Sequence, residues 1–357
     1  MIRIDSMCGR SAPARYAVAL ALSLSAAMAG ATPIGDALDR PAVASRIAQH
    51  AAMLGVAEAG DRLVAVGERG IVLLSDDAGT HWRQVPAPVS VTLTAVRFAD
   101  AKHGYAVGHG ATVLTTADGG ETWVRRLDGR QAAQTVLAGV LNGGDAAQKR
   151  EAERLVADGP DKPLLDVLVQ DARHAIVVGA YGLAFATADG GRTWSSWAAA
   201  LANPKGLHLY AIRQRGDRVL VVGEQGLVRL SMDGGQRFAP LVTPYAGSFF
   251  TAELPSGNEI VLAGLRGNVW RSPDGGANWV RLAVPMPASI TASAVRADGS
   301  LLLANQAGVV LGERGGALAP VNAQPFPPLS GILSRRDGKL VALGIHGAMV
   351  VPDGDPK

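Results

Sequence analysis

Five stretches of the chain spell nearly one phrase, Ser/Thr-x-Asp-x-Gly-x-x-Trp/Phe, and this repetition restricts the possible folds more than any other feature. The phrases occupy residues 75–82, 116–123, 187–194, 231–238 and 272–279. One match would be chance. Five in register define repeated units, and a recurring period of about 40 residues suits four short strands per unit arranged radially.

Turn chemistry explains the phrase. An Asp carboxylate accepts hydrogen bonds from nearby backbone N–H groups, expected here two residues on, and the Gly-Gly pair permits positive φ in a tight hairpin. Trp82, Trp123, Trp194, Phe238 and Trp279 then open the outgoing strands and cover the hairpins with apolar surface. Asp77, Asp118, Asp189, Asp233 and Asp274 are therefore read as structural, not as catalytic carboxylates or calcium ligands.

A second element precedes each phrase: an apolar strand ending in Gly-x-x-Gly or a relic of it. Its copies are Gly67-Glu68-Arg69-Gly70, Gly108-His109-Gly110, Gly179-Ala180-Tyr181-Gly182, Gly223-Glu224-Gln225-Gly226, Gly264-Leu265-Arg266-Gly267, Asn305-Gln306-Ala307-Gly308 and Gly344-Ile345-His346-Gly347. This counts seven units. The second parses as strands at 94–99, 103–108, 111–117 and 121–127, and apolar runs such as Val219-Leu220-Val221-Val222 read as buried second strands. The fold class is all-β, a seven-bladed β-propeller, in which radial repetition protects the edges of short sheets. Its last unit stops after a third strand. The N-terminal segment at about 37–45 is expected to pair with 348–352 and close that blade.

Spacing between the Asp residues is 41, 44 and 41 residues, but 71 from Asp118 to Asp189. The excess lies at about 128–163, between blades 2 and 3. Residues 131–141 and 145–157 lack strand alternation and are rich in helix formers, which predicts two short helices, the second capped by Asp145 and ended by Gly159-Pro160.

Arg3, Arg10 and Arg15 precede an apolar run at 16–28, followed by the small-residue sites Ala27-Met28-Ala29 and Ala29-Gly30-Ala31. The pattern is that of a cleaved secretory signal peptide, 1–31, leaving a mature chain of 32–357 in the periplasm or otherwise exported. The run is too short for a membrane span. Cys8 is the only cysteine and precedes the run, so the mature chain is expected to have neither disulfide nor thiolate chemistry. Three arginines and one aspartate leave with the signal segment, so the formal excess of three positive charges falls to one. No dense Lys/Arg run with interleaved aromatics points to nucleic acid.

In a four-stranded antiparallel blade, the turn between strands 2 and 3 shares a face with the connection to the next blade. The Gly-x-x-Gly turns and the insertion therefore share one face, and the Asp phrases lie on the other. Exposed residues in those turns are candidate contacts for a partner: Arg69, His109, Tyr181, Gln225, Arg266 and His346. Tyr and Arg often carry binding energy, and loops on a rigid scaffold are the usual place for function.

Catalytic signatures are missing from the sequence. None of the seven histidines forms a His-x-x-x-His pair, and neither a Gly-x-Ser-x-Gly elbow nor a phosphate loop occurs. The Gly-rich turns lead into strands, whereas a phosphate loop needs a helix N-terminus. No catalytic residue, metal or cofactor is assigned.

The Asp phrases are similar to Asp-box, or BNR, repeats. Their pairing with segments such as Val177-Val178-Gly179-Ala180-Tyr181-Gly182 and Thr187-Ala188-Asp189-Gly190-Gly191 resembles the photosystem II stability/assembly factor family of secreted or lumenal seven-bladed propellers. The resemblance implies a non-catalytic accessory factor that binds a membrane protein or membrane complex during assembly. In photosynthetic members the partner is a reaction-centre subunit, bound in part through an arginine patch, and similar bacterial proteins occur beside transporters. Arg69 and Arg266 are the charged contacts this implies here, in a monomer that does not itself span the membrane. Two alternatives come from the same repeat: a sialidase-like glycoside hydrolase, and a non-catalytic glycan-binding module. The chain lacks the Arg-Ile-Pro segment that typically precedes a sialidase's first repeat, and four of its six tryptophans already belong to the phrases.

Overall fold

The computed structural model describes residues 35–141, 143–314 and 316–351. The expected signal segment lies outside them, as does Pro352. Seven antiparallel sheets follow one another along the chain, six of four strands and the last, among the described residues, of three. The first strands of the sheets, from Met53–Ala59 in blade 1 to Leu329–Ser334 in blade 7, neighbour one another in sequence order and close into a ring, with Leu329–Ser334 beside Met53–Ala59. The fold is the seven-bladed β-propeller expected from the repeat. No described helix is long and apolar enough to cross a membrane.

One contact recurs from blade to blade. A Cβ added to Gly67, Gly108, Gly179, Gly223 or Gly264 would lie 2.1–2.3 Å from the carbonyl oxygen of Ala52, Thr92, Pro163, His208 or Ser248 respectively. Only glycine allows that approach. The next residue in each case, Glu68, His109, Ala180, Glu224 or Leu265, donates its N–H to the same oxygen at 2.8–3.1 Å. The end of the second strand is thus tied to the residue that precedes the first. Beside this tie each inner strand has a register shift, for example between Leu209 and Ala211, and such bulges increase local twist. Asn305 replaces glycine in blade 6, where it is fully buried and its Oδ1 accepts from Ala307 and Val309.

The opposite face is built from the Asp phrases. In blade 3 the Thr187 hydroxyl donates to Asp189 Oδ1 at 2.9 Å and accepts from the Gly191 N–H at 3.0 Å. Asp189 Oδ1 also accepts from the Thr193 N–H at 2.9 Å. The backbone donor lies four residues on, not two, because the N–H two residues on, that of Gly191, is taken by the Thr187 hydroxyl. Trp82, Trp123 and Trp194 donate Nε1–H to the carbonyls of Gly79, Gly120 and Gly191, the latter two being the second glycine of their phrase.

These turns also join blades. A Cβ at that second glycine would meet the preceding blade: Gly120 against Leu74 and Val64, Gly235 against Trp197, and Gly276 against Leu241. Gly79 of blade 1 faces Val350 of blade 7 in the same way. The seam is completed by Ser330 Oγ donating to the Met53 carbonyl at 2.5 Å and by Arg335 beside Glu58 at 4.0 Å.

The N-terminal segment does not supply the missing strand. Residues 37–45 are irregular, with Ser90 donating to the Ala37 carbonyl at 2.8 Å and Ala42 to the Ala87 carbonyl at 3.0 Å. Pro41 has no N–H for a ladder. Leu38 is buried against Gly110, and Arg130 pairs with Asp36 at 2.6 Å and Asp39 at 3.0 Å. The segment is held across blades 1 and 2, away from the outer edge of Gly347–Val351.

Helix α1 (Gly129–Leu141) and helix α2 (Ala146–Asp158) form the insertion. Asp145 caps α2 in a reciprocal box with Gln148, and Gly159 at φ 85° ends it. Ala132 and the partly buried Val136 and Leu155 pack with Val113, Leu164 and Phe185 of the neighbouring blades.

Two stability measurements follow. Gly223→Ala places a methyl group 2.2 Å from a carbonyl, so urea unfolding should show a loss of about 2–3 kcal/mol. Gly216→Ala, at φ 58° with open space around it, should cost about 1 kcal/mol. Equal costs would remove the special role of the tie. Acid should also destabilise the Asp turns. The N–H of His81, that of Thr193, and the Ser231 hydroxyl are the largest causes holding Asp77, Asp189 and Asp233 at about 2, below an ordinary 3.8. Their folded pKa values are depressed, so this stabilisation is present above about pH 4 and lost as pH falls towards 2. The melting temperature of Asp189→Asn should vary less across that window than that of the unaltered chain.

Candidate functional site

The tie described above positions the Gly-x-x-Gly turns. In four of them the residue before the closing glycine is not glycine yet has left-handed backbone: Arg69 at φ 54°, Tyr181 at 56°, Gln225 at 52° and Arg266 at 56°. Such a conformation costs an L-residue about 1–2 kcal/mol. His109 and His346 lie in the tighter turns of blades 2 and 7. All six side chains are exposed, and none makes a hydrogen bond or ion pair to a described residue. The six predicted positions therefore lie on one face.

Other turn residues serve the scaffold. Glu68 Oε1 accepts from the Ala52 N–H at 3.1 Å, and Glu224 Oε2 from the His208 N–H at 3.3 Å. Their carboxylates hold the start of the inner strands and are not free charges.

The insertion shares this face, as strand order requires. Gly129 donates to the Gly110 carbonyl at 2.6 Å and Ala111 to the Lys162 carbonyl at 2.7 Å, so both ends of the insertion are bound to the blade 2 turn. Lys162 Nζ then reaches over the Tyr181 ring, 5.7 Å from its centroid, within cation–π range. Burial opposes the Lys162 charge, but Asp161 at 2.9 Å and Asp158 at 3.3 Å outweigh it and raise the pKa.

Tyr181, 60% exposed, also begins an aromatic path. Its ring stands edge-on to His208 at 4.9 Å, His208 to Tyr210 at 6.2 Å, and Tyr210 to Phe250 at 5.2 Å. The last two rings line the central channel. Arg266 borders a groove of about 400 Å³ with Arg281, Val284 and Met286, and Arg69 one of about 620 Å³ with Arg40, Val43, Ile47 and His50. Guanidinium groups beside apolar floors suit an acidic, partly apolar peptide surface.

Sequence reasoning missed the polar lining of the channel. Arg97, Arg213 and Glu253 occupy the fifth position of the inner strands of blades 2, 4 and 5, with Asp166 between them in blade 3. Arg213 Nη1 donates to Asp166 at 2.5 Å, and its Nε lies 3.6 Å from Glu253. Burial works against the Arg213 charge, yet the two carboxylates overcome it and hold the pKa above its ordinary value. Charged residues recurring at one strand position were the available signal.

Replacing a left-handed side chain by glycine separates display from stability. Gln225→Gly should raise stability by about 0.5–1 kcal/mol, because relief of the left-handed penalty exceeds the entropy cost of glycine. A fall in melting temperature would show that Gln225 serves the scaffold.

Comparison with known proteins now adds sequence and structural relatives. The family model described as photosynthesis system II assembly factor YCF48 matches residues 74–148 and 145–279. The photosystem II stability/assembly factor HCF136 of Cyanidioschyzon merolae, a chloroplast protein, is 46% identical over 50 residues, which span 13% of this chain and only 11% of that protein. The solved structure of YCF48 bound to D1 peptide aligns with a TM-score of 0.63 at 17% identity, over 87% of this chain and 98% of that one. The xyloglucanase of Xanthomonas campestris aligns with the same TM-score at 14% identity, over 88% of this chain and 53% of the enzyme. Both structural likenesses concern the fold, whereas the family model matches more than half of the sequence. The chain belongs to the photosynthesis system II assembly factor YCF48 family.

Proposed function

We propose that the protein is an exported, non-catalytic propeller that binds a membrane protein or its precursor through the Gly-x-x-Gly face and assists its assembly or stability. The observation that carries this reading is the set of six exposed side chains that make no hydrogen bond or ion pair to a described residue, four of them on left-handed backbone. Backbone strain retained at equivalent positions is a mark of functional surfaces. Family membership supports it, as does the D1 peptide bound by a structural relative. The helical insertion belongs to the same surface and sets Lys162 against Tyr181.

A glycoside hydrolase reading draws on the xyloglucanase likeness, which is one of fold. In the assembly reading, the channel carboxylates Asp166 and Glu253 bind arginines. They do not activate water.

Crosslinking followed by capture from periplasm and membranes tests the proposal, using the intact protein, one with residues 131–158 replaced by a short Gly/Ser linker, and the double variant Arg69→Glu/Arg266→Glu. The intact protein should retain a membrane protein, and both altered forms should lose most of it while still unfolding cooperatively. Identical capture by all three would place the surface elsewhere. Turnover of fluorogenic sialosides or xyloglucan, abolished by one carboxylate substitution, would overturn the non-catalytic reading.

A further inference from the structure

We propose that the mouth of the central channel is a binding site for a carboxylate, held by the Arg97 guanidinium below the rings of Tyr210 and Phe250. The site is separate from the Gly-x-x-Gly surface and does not depend on the assembly reading.

All seven inner strands line a cavity of about 120 Å³. Gly55, Ala95, Ala211, Ala292 and Gly331 leave it open, because five blades place their smallest side chains at this level. Hydroxyl groups around it are already engaged: Thr94 donates to the Leu164 carbonyl at 2.7 Å, Thr291 to that of Leu329 at 2.7 Å, and Ser330 to that of Met53 at 2.5 Å.

Arg97 is different. Among the described residues its guanidinium makes one hydrogen bond, from Nη1 to the Val96 carbonyl at 2.8 Å, and lies 3.5 Å from Asp166. Asp166 faces the cavity too, but its oxygens already accept from Arg213, from the Ile212 N–H at 3.1 Å and from the Val167 N–H at 3.0 Å. Glu253 lies against Arg213 and accepts from the Ser293 hydroxyl at 2.7 Å. A guanidinium has five N–H donors, and most of those on Arg97 point to no protein acceptor. The side chain is 37% exposed and lines the channel cavity. Burial is the strongest influence on its charge and lowers its pKa; Asp166 opposes this, and the neighbouring Arg213 adds to it.

A partly buried, incompletely paired cation gains most from a planar anion that accepts two parallel N–H bonds, which is the geometry of a carboxylate. The Tyr210 and Phe250 rings stand 5.2 Å apart at 82° and line the same cavity. They suit a flat or apolar body attached to that carboxylate. Two sources share the chemistry: a small free acid, and the C-terminus of a polypeptide.

Calorimetric titration of the whole protein with benzoate, with benzamide as the uncharged match, tests the site. A six-residue peptide ending in Phe, as free acid and as amide, provides the second arm. Benzoate or the free-acid peptide should bind saturably, at least about tenfold tighter than its neutral match, and Arg97→Gln should weaken it by at least about tenfold. Arg97→Lys should fall between. In the unaltered protein the Arg97 Nε–H resonance should shift with occupancy, a readout that holds even where Arg97→Gln fails to fold. Tighter binding of the peptide acid than of benzoate identifies a polypeptide terminus, and the reverse order a free acid. Failure of both acids to bind, or binding that leaves the Arg97 resonance unmoved, would overturn the proposal.

Discussion

The propeller depends on a carbonyl oxygen lying where a Cβ would otherwise be. At Gly67, Gly108, Gly179, Gly223 and Gly264 the second strand ends against the residue before the first, and the following N–H binds the same oxygen. This contact closes blades 1 to 5 at their inner corners, and in blade 6, where Asn305 stands in place of the glycine, the Gln306 N–H makes the matching bond to the Ser289 carbonyl at 3.0 Å. It also fixes the direction of the next turn, so the residue two positions on is held outwards in left-handed conformation in blades 1, 3, 4 and 5. Scaffold and candidate surface therefore share one cause. Any change that moves the glycine moves the displayed side chain.

The Asp turns act on the other face and across blade boundaries. Their carboxylates close the hairpins, while Gly79, Gly120, Gly191, Gly235 and Gly276 let blades 1 to 5 each approach the one before. Blade 7, three-stranded among the described residues, meets blade 1 in the same way. The seam between blades 7 and 1 repeats the contact through Gly79 and Val350 and adds the Ser330 hydroxyl and Arg335. The inner strands meet around the whole circle.

Much of this was legible in residue order. Repeated phrases gave the blade count, their spacing located the insertion, and Asp145 with Gly159 bounded its second helix because caps are local chemistry. The placement of Arg69, Tyr181, Gln225 and Arg266 on one face followed from strand order alone. Their left-handed backbone was hidden, since glycine is the usual signal for it and here the glycine follows. Residues 37–45 were expected to pair with blade 7 because its last unit stops after a third strand, and a strand count cannot show where a segment's side chains find partners; those of Asp36 and Asp39 find Arg130. The channel cluster escaped notice for a related reason. Arg97, Asp166, Arg213 and Glu253 are 40 to 156 residues apart in the chain, and only radial stacking brings them together.

The central claim is that the working surface is the face bearing the Gly-x-x-Gly turns. Site-specific photocrosslinking in the native host tests it directly, with a benzophenone amino acid placed at Tyr181 or, on the opposite face, at the exposed Arg192. The account predicts a discrete crosslinked membrane-protein adduct from position 181 and none from position 192. An adduct from 192 with none from 181 would contradict it.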